Sequence, residues 1–396
     1  MQKVKLSDIN YFDIGEMNIS DDFMTSATAD DWKKLKTSEA YNFFVSKLQQ
    51  KENCIFLTWA GTSKSSWWLL MKDLWAHFTN PFLYSSEFNA KLTELKYTED
   101  NIEELLSRYE TSIIYKKNNG ELTTEDEEFK EKIITELKEQ CKIEFSFDKS
   151  EHLSLLDALN YLRWKEKARL KIFTLNYDTL FEQAANAGNY VVIDWFSFNI
   201  ERRFNGTNFD LDIVDRKNNR MEEKTLFRKV FHLYKLHGSL DWKKDWKNGY
   251  IKCPEDAEGA WEIIYPGNSK YEQSYNMPYF EMLTRFQSEL RKENVLLNIV
   301  WYKFGDHHIN RMIQEALSNN SSLTINILWW DLWEKIEDEL ALRNEFLSEL
   351  KPYIENTRIS LFKMRFWWFV RLISVNAPIM TEEEKLAKAI SDYQKQ

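Results

Sequence analysis

Cysteine is scarce in this chain. Only three occur in 396 residues, Cys54, Cys141 and Cys253, and no two make a CxxC pair. That excludes a four-cysteine zinc site and a disulfide framework, and it suits inert thiols in a reducing cytoplasm. Proline is missing from the whole stretch Ser85 to Leu162. No apolar run is long and unbroken enough for a membrane span, and the opening MQKVKLSDINYFDIGEMNIS has no signal-type apolar segment. Basic charge is in deficit: the net charge of -10 and a pI near 5.4 provide no general attraction to nucleic acid. A soluble, cytoplasmic protein without membrane or direct nucleic-acid contact is the expectation.

Apolar material is plentiful. Hydrophobic residues make up 43% and aromatics 15% of the chain, enough for one large domain or two ordinary ones. Residues 1–50 read as an irregular arm followed by a helix around Ala40 to Leu48. The run NCIFLT at 53–58 reads as a buried parallel strand, Ala60-Gly61-Thr62-Ser63 as a small-residue turn, and Leu69 to Phe78 as a helix. Strand, turn and helix in that order open a mononucleotide-binding unit.

Residues 85–163 change character. Charges are dense, and Ile102-Leu105-Leu106-Tyr109 and Phe129-Ile133-Ile134-Leu137 recur at three- and four-residue spacing. This is the pattern of amphipathic helices, joined by a loop at Lys116–Gly120. The α/β alternation then resumes, with strands expected at Lys171–Leu175, Tyr190–Ile193, Leu233–Leu236, Glu262–Ile264, Val295–Val300 and Thr324–Leu328. Helices are expected at Tyr177–Ala187, Tyr279–Lys292 and His308–Leu317, a polar surface ribbon or loop at Asn205–Glu223, and a charged helix after Thr381. The fold class is therefore α/β, a Rossmann-like parallel sheet with helices on both faces and a helical insertion. Residues 51–84 and 164–375 form the nucleotide-binding part, 85–163 the insertion, 1–50 the arm and 376–396 the tail.

Three short stretches place reactive side chains at strand ends, where ligands bind in open α/β sheets. Backbone N–H groups of Ala60 to Ser63 suit a diphosphate. Asn176 and Asp178 follow a strand in Phe173-Thr174-Leu175-Asn176-Tyr177-Asp178; capping of the next helix is the competing role, stronger for Asp178 alone than for both together. His237 ends another strand, in Leu236-His237-Gly238-Ser239, where a purely structural histidine is the alternative. Asp306, beside His307 and His308, reads as a helix N-cap or as a ribose-binding carboxylate. Adjacent histidines point to different helix faces, so no metal is expected there.

In combination these segments resemble the bacterial sirtuin-like NAD-binding family, particularly its defence-associated members. Trp59–Ser63, Thr174–Asp178, Leu236–Ser239 and Trp301–Asn310 follow that family's GAG-x-S, TLNYD, LHGS and GYSFxDxxIN segments in order, across roughly residues 50–375. The resemblance implies a Rossmann-like sheet that binds NAD as substrate, with Asn176 and His237 carrying the reaction and Asp178 ordering the site. It further implies contacts to the dinucleotide from Ala60, Gly61, Thr62, Ser63, Thr174, Gly305, Asp306 and Asn310. The missing zinc cysteines favour NAD hydrolysis over protein deacylation. The resemblance also implies a homo-oligomer and a HerA-type ATPase partner, an Argonaute-like protein being the weaker choice.

The chain departs from that family systematically. Trp59 and Trp301 stand where glycines are expected, Trp195 follows Asp194 at another such place, and Trp67-Trp68 fill a loop of ordinarily small residues. Sixteen tryptophans accompany only ten glycines. An indole cannot stand in for a glycine that lets backbone touch phosphate, so bulk on the phosphate side of the cleft is expected. Trp242 and Trp261 read as ordinary core residues.

Overall fold

The computed structural model describes residues 2–13, 34, 37–63, 71–80, 85–98, 102–141, 151–163, 167–215, 225–245, 249–255, 257, 260–263, 278–329 and 331–374. Its strands are β1 (Gln2–Lys5), β2 (Asn10–Asp13), β3 (Asn53–Thr58), β4 (Leu170–Thr174), β5 (Val191–Ile193), β6 (Val214–Asp215), β7 (Thr225–Leu226), β8 (Val230–Lys235), β9 (Gly238–Asp245), β10 (Gly249–Lys252), β11 (Ala260–Ile263), β12 (Val295–Val300), β13 (Thr324–Trp329), β14 (Trp333–Ile336), β15 (Glu339–Leu342) and β16 (Ile359–Lys363). Helices are α1 (Glu39–Gln50), α2 (Met71–Phe78), α3 (Ser85–Glu94), α4 (Ile102–Asn119), α5 (Thr124–Cys141), α6 (Glu151–Leu162), α7 (Leu180–Ala187), α8 (Tyr279–Leu290), α9 (His307–Asn319), α10 (Glu345–Glu349), α11 (Lys351–Glu355) and α12 (Phe366–Ser374).

Eight strands make one sheet in the order β2-β16-β13-β12-β3-β4-β8-β5, and every pairing in it is parallel. Alternation along each strand sends side chains to opposite faces. Cys54 and Phe56 of β3 join a core with α1, α6, α7 and α12, while Ile55 and Leu57 join one with α8, α9, α10 and α11. Both faces are covered, which is why the central strands read as continuous apolar runs. The Rossmann-like α/β class is the observed one.

Strand order decides where a ligand belongs. From β3 the chain moves outward through β4 to the edge strand β5, returns one place to β8, then crosses to β12 and moves outward again through β13 and β16. The direction reverses between β3 and β12, so the crevice beyond their carboxyl ends is the topological switch point.

Several elements differ from the sequence expectation. The N-terminal arm is not wholly irregular: β1 pairs with β15, and β2 forms an edge of the main sheet beside β16. Four-residue strands at an edge carry little periodic signal of their own. The helix expected from Tyr177 begins at Leu180, because residues 175–179 form a polar turn. Within 205–223, a short 3-10 turn at Gly206–Asp210 precedes β6, which pairs with β7. The inserted helices have a core of their own, built on Phe78, Phe88, Tyr109 and Phe129, with buried Asp126 clamped by Lys91 and Lys116. Helix α6 instead packs on the sheet against α7 and α12, so its place is with the sheet layers. Trp67-Trp68, the side chain of Trp261 and the tail after Thr381 lie outside the described residues.

Candidate active site

The carboxyl end of β3 runs through Trp59 into a single 3-10 turn, Ala60–Thr62. The N–H groups of Thr62 and Ser63 close that turn on the carbonyls of Trp59 and Ala60 at 2.9 and 3.1 Å. The adjacent strand β4 ends at Thr174, whose Oγ1 accepts from the backbone N–H of Asn176 at 3.1 Å. The two turns are then joined side chain to side chain. Asn176 Nδ2 donates to Ser63 Oγ at 2.8 Å and to Thr62 Oγ1 at 3.2 Å. Ser63 Oγ donates in turn to Asp178 Oδ2 at 2.7 Å. Asp178 Oδ1 accepts from the N–H of Leu180 at the head of α7, 3.0 Å away.

One oxygen of Asp178 thus serves the helix start, the capping role considered from sequence, and the other holds Ser63. Asn176 and Asp178 are each only 4% exposed, and buried polar groups hold their geometry because losing a partner in low dielectric is costly.

His237 enters from the next strand over. It follows β8 directly, and the chain turns into β9 through Gly238, whose φ of +92° is a conformation glycine adopts readily and other residues rarely. His237 Nε2 lies 3.1 Å from Asp306 Oδ2. The other oxygen of Asp306 accepts from the N–H groups of His308 and Ile309 at 3.0 and 3.4 Å, capping α9. Asp306 is therefore both the N-cap and a histidine partner. The loop that presents it turns on Tyr302, whose hydroxyl donates to the Asp306 carbonyl or to Asn310 Oδ1, both at 2.9 Å, and accepts from the Asp306 N–H at 3.1 Å. Burial first, and Asp306 second, push the Tyr302 hydroxyl well above its ordinary pKa, so it remains a donor.

The fold brings Ala60 to Ser63, Thr174, Asn176, Asp178, His237 and Asp306 to the carboxyl ends of β3, β4, β8 and β12. Two other residues singled out from sequence have different surroundings. Asn310 spends its amide inside the loop, Nδ2 donating to the Phe304 carbonyl at 2.8 Å. Gly305 is exposed, and a side chain there would meet open space, so the position does not require glycine for close approach.

The tryptophans separate into distinct cases. Trp59 has extended backbone (φ −142°, ψ −174°) that any residue adopts, and its ring packs edge-on against Tyr302, 5.9 Å between centroids; no glycine is demanded there. Trp195 is 1% exposed and sits in the core against Phe204 and Trp242, each at 4.5 Å, so it is not a cleft residue. Trp301 is the true conflict. Its φ of +56° is left-handed, a conformation that costs a side-chain-bearing residue roughly 1–2 kcal/mol. Its indole leans on Trp329 and covers Gly61, where an added Cβ would fall 2.3 Å from Trp301 Cε3. Trp301 Nε1 and Thr58 Oγ1 are buried without a hydrogen-bond partner among the described residues.

Sequence inspection missed a cluster of charges directly beneath these turns. Lys235, the last residue of β8, is 2% exposed. Near it, Lys252 bridges Asp194 at 3.0 Å, Asp241 at 3.2 Å and Glu182 at 3.6 Å. Burial opposes charge on Lys252, but Asp241, Asp194 and Glu182 outweigh it and raise its pKa. Burial likewise opposes charge on Asp241, yet Lys252 and Lys235 hold that carboxyl below the usual range. The available signal was a lysine ending the otherwise apolar run VFHLYK, since Lys is almost never buried unless paired.

Residues 170–350 match the SIR2-like domain family. The matched segment contains Asn176, Asp178, His237 and Asp306, and it leaves out β3 and the Gly61 turn. No curated protein matches the chain. Among solved structures, a Sir2 in complex with the inhibitor EX-527, 2'-O-acetyl-ADP-ribose and a deacetylated p53 peptide aligns at 11% identity and a TM-score of 0.39, covering 86% of this chain and 100% of that one. A Sir2 homolog–NAD complex gives 11% and 0.39, over 86% and 95% of the two chains. A Sir2 bound to a p53 peptide and NAD+ gives 12% and 0.39, over 83% and 95%. Likeness at this level carries no activity across to this chain.

Proposed function

We propose that this chain is an NAD+ glycohydrolase that releases nicotinamide and ADP-ribose, and that it acts as an effector of bacterial antiphage defence by depleting NAD. The observation that supports the reading is the pairing of His237 with Asp306 beside the Asn176–Ser63–Asp178 chain, at the switch point of a parallel sheet. Nicotinamide leaves as a neutral group, so the protein's task is to stabilise positive charge growing on the ribose and to deliver water. Asp178 and Asp306 are the carboxylates available for the first task. Asn176 donates through Nδ2 into the chain, which leaves its Oδ1 to accept from a water or a ribose hydroxyl. His237, oriented through Nε2, is the base or hydroxyl anchor of this reading, a role suited to imidazole near neutral pH.

The polar side chains of these turns suit hydrogen bonds to a ribose. The Trp301 indole occupies the space over Gly61 and must move for a diphosphate to lie against that turn. This favours a second reading, a sirtuin-like NAD- or ADP-ribose-binding subunit with impaired turnover. The defence role, a homo-oligomer and a HerA-type ATPase partner follow from the sequence resemblance, with an Argonaute-like partner ranked below.

Incubation with NAD, alone and with a candidate ATPase, followed by chromatography of nicotinamide, tests the proposal. Loss of Asn176 or His237 should lower the rate by roughly 10²–10⁴. Hydrolysis unchanged in both Asn176→Ala and His237→Ala removes the site assignment. Calorimetric NAD binding without nicotinamide release supports the second reading.

A further inference from the structure

Lys235 sits between the turn that carries Asn176 and Asp178 and the strand that follows His237, and it touches both. Its ammonium, at the end of β8, donates to the backbone carbonyls of Tyr177 at 3.2 Å and Asp178 at 2.5 Å. It also donates to Ser239 Oγ at 2.6 Å and faces Glu182 Oε1 at 3.3 Å. Ser239 Oγ donates onward to Asp241 Oδ1 at 2.6 Å. The first two oxygens belong to the turn carrying Asn176 and Asp178. Lys235 and Ser239 flank His237 by two residues on either side. An ammonium has three protons and no acceptor, and here it meets four oxygens drawn from both turns and α7.

We infer that Lys235 is a positioning residue: its buried ammonium fixes the placement of Asn176 and Asp178 relative to His237. This rests on the glycohydrolase reading above. A purely space-filling role does not account for the arrangement. An apolar side chain of equal length would leave two carbonyls and a hydroxyl without this donor and Glu182 with one cation fewer, whereas the cost of burying an ammonium is met here only because every bond is made. Lys235 is too deep, at 2% exposure, to act by direct contact with solvent-borne substrate. Its influence is on geometry, and misplacement of reacting groups by an ångström is enough to cost about 10²-fold in rate.

The test compares wild type with Lys235→Ala and Lys235→Met, the first also in the presence of methylammonium as a diffusible replacement. Expected is a fall in kcat of about 10²-fold with KM for NAD changed by less than about threefold, partial recovery of kcat with methylammonium, and none with tetramethylammonium, which has no N–H to donate. Should the single variants not fold, Lys235→Met combined with Glu182→Gln removes both charges together and is read the same way. A folded variant that keeps kcat within about twofold, or one that loses only affinity, overturns the inference. A second readout needs no turnover: the imidazole ¹H–¹⁵N signals of His237, assigned by their absence in His237→Ala, should move in Lys235→Met while those of His77 stay. Unmoved His237 signals overturn the inference even where wild type releases no nicotinamide, an outcome that by itself removes only the glycohydrolase reading.

Discussion

His237 Nε2 and Asp306 Oδ2 lie 3.1 Å apart although 69 residues separate them. The contact joins the turn after β8 to the head of α9, across the point where the sheet's winding reverses. The same carboxylate caps α9, so the imidazole is tied to the start of that helix.

Asp306→Asn separates the two duties. Asparagine caps helices about as well as aspartate, so the melting temperature should hardly change. Its amide presents the wrong hydrogen-bonding partner or no charge to His237, and kcat for nicotinamide release should fall by roughly 10²-fold or more. Asp306→Ala should add a loss of about 1 kcal/mol in stability from the missing cap. Full activity in Asp306→Asn with unaltered stability means that His237 works without its partner.

Trp301 and Gly61 should show strong coupling. Gly61→Ala places a methyl 2.3 Å from the Trp301 indole, and the damage should largely vanish in a Trp301→Gly background, giving an interaction energy of about 1–3 kcal/mol in a double-mutant cycle read by urea unfolding. Between two truncations that lose the same indole, Trp301→Gly should be more stable than Trp301→Ala by about 1 kcal/mol, since alanine keeps the left-handed strain. Calorimetry should show Trp301→Gly binding NAD more tightly than wild type. Unchanged affinity places the diphosphate away from Gly61.

Two histidines make stability fall in acid. His152 on α6 is wholly buried with neither ring nitrogen hydrogen-bonded among the described residues, and burial lowers its pKa to about 4, Asp178 opposing. His232 on β8 is lowered to about 4 mainly by burial. The unfolded chain takes up these protons at the ordinary 6.5, so protonation favours unfolding. The stability of the neutral rings is complete above pH 6.5 and is lost as pH falls to 4, roughly 3 kcal/mol for each fully buried group. His152→Leu should remove about half of that loss in urea titrations run across this interval; an unaltered slope means that the ring finds a proton acceptor.

Much of the site is visible without coordinates. Asn176, Asp178, His237 and Asp306 each stand at the end of an apolar run or just before a helical pattern, and those local patterns are short-range properties of the chain. Edge strand β2 and its neighbour β16 were not visible, because their stability comes from partners far along the sequence. Lys235 was overlooked because a charged residue beside a motif reads as solvent-exposed until its partners are in place. Trp59, Trp195 and Trp301 read alike from sequence as bulk at glycine positions, yet among the described tryptophans only Trp301 has a backbone that asks for glycine; φ at a loop residue is settled by what surrounds the loop.

The sequence by itself determined the alternation of strands and helices, the covered character of the sheet and the identity of the polar strand-end residues, since periodicity and burial preference are local. Tertiary structure alone decided which strand ends meet. The reversal of winding between β3 and β12 brings Gly61 against Trp301 and His237 to Asp306, and the shared burial of two turns gives Lys235 its four oxygens. Such contacts depend on long-range strand order and on the high cost of leaving a buried polar group alone, neither of which a local stretch of residues can express.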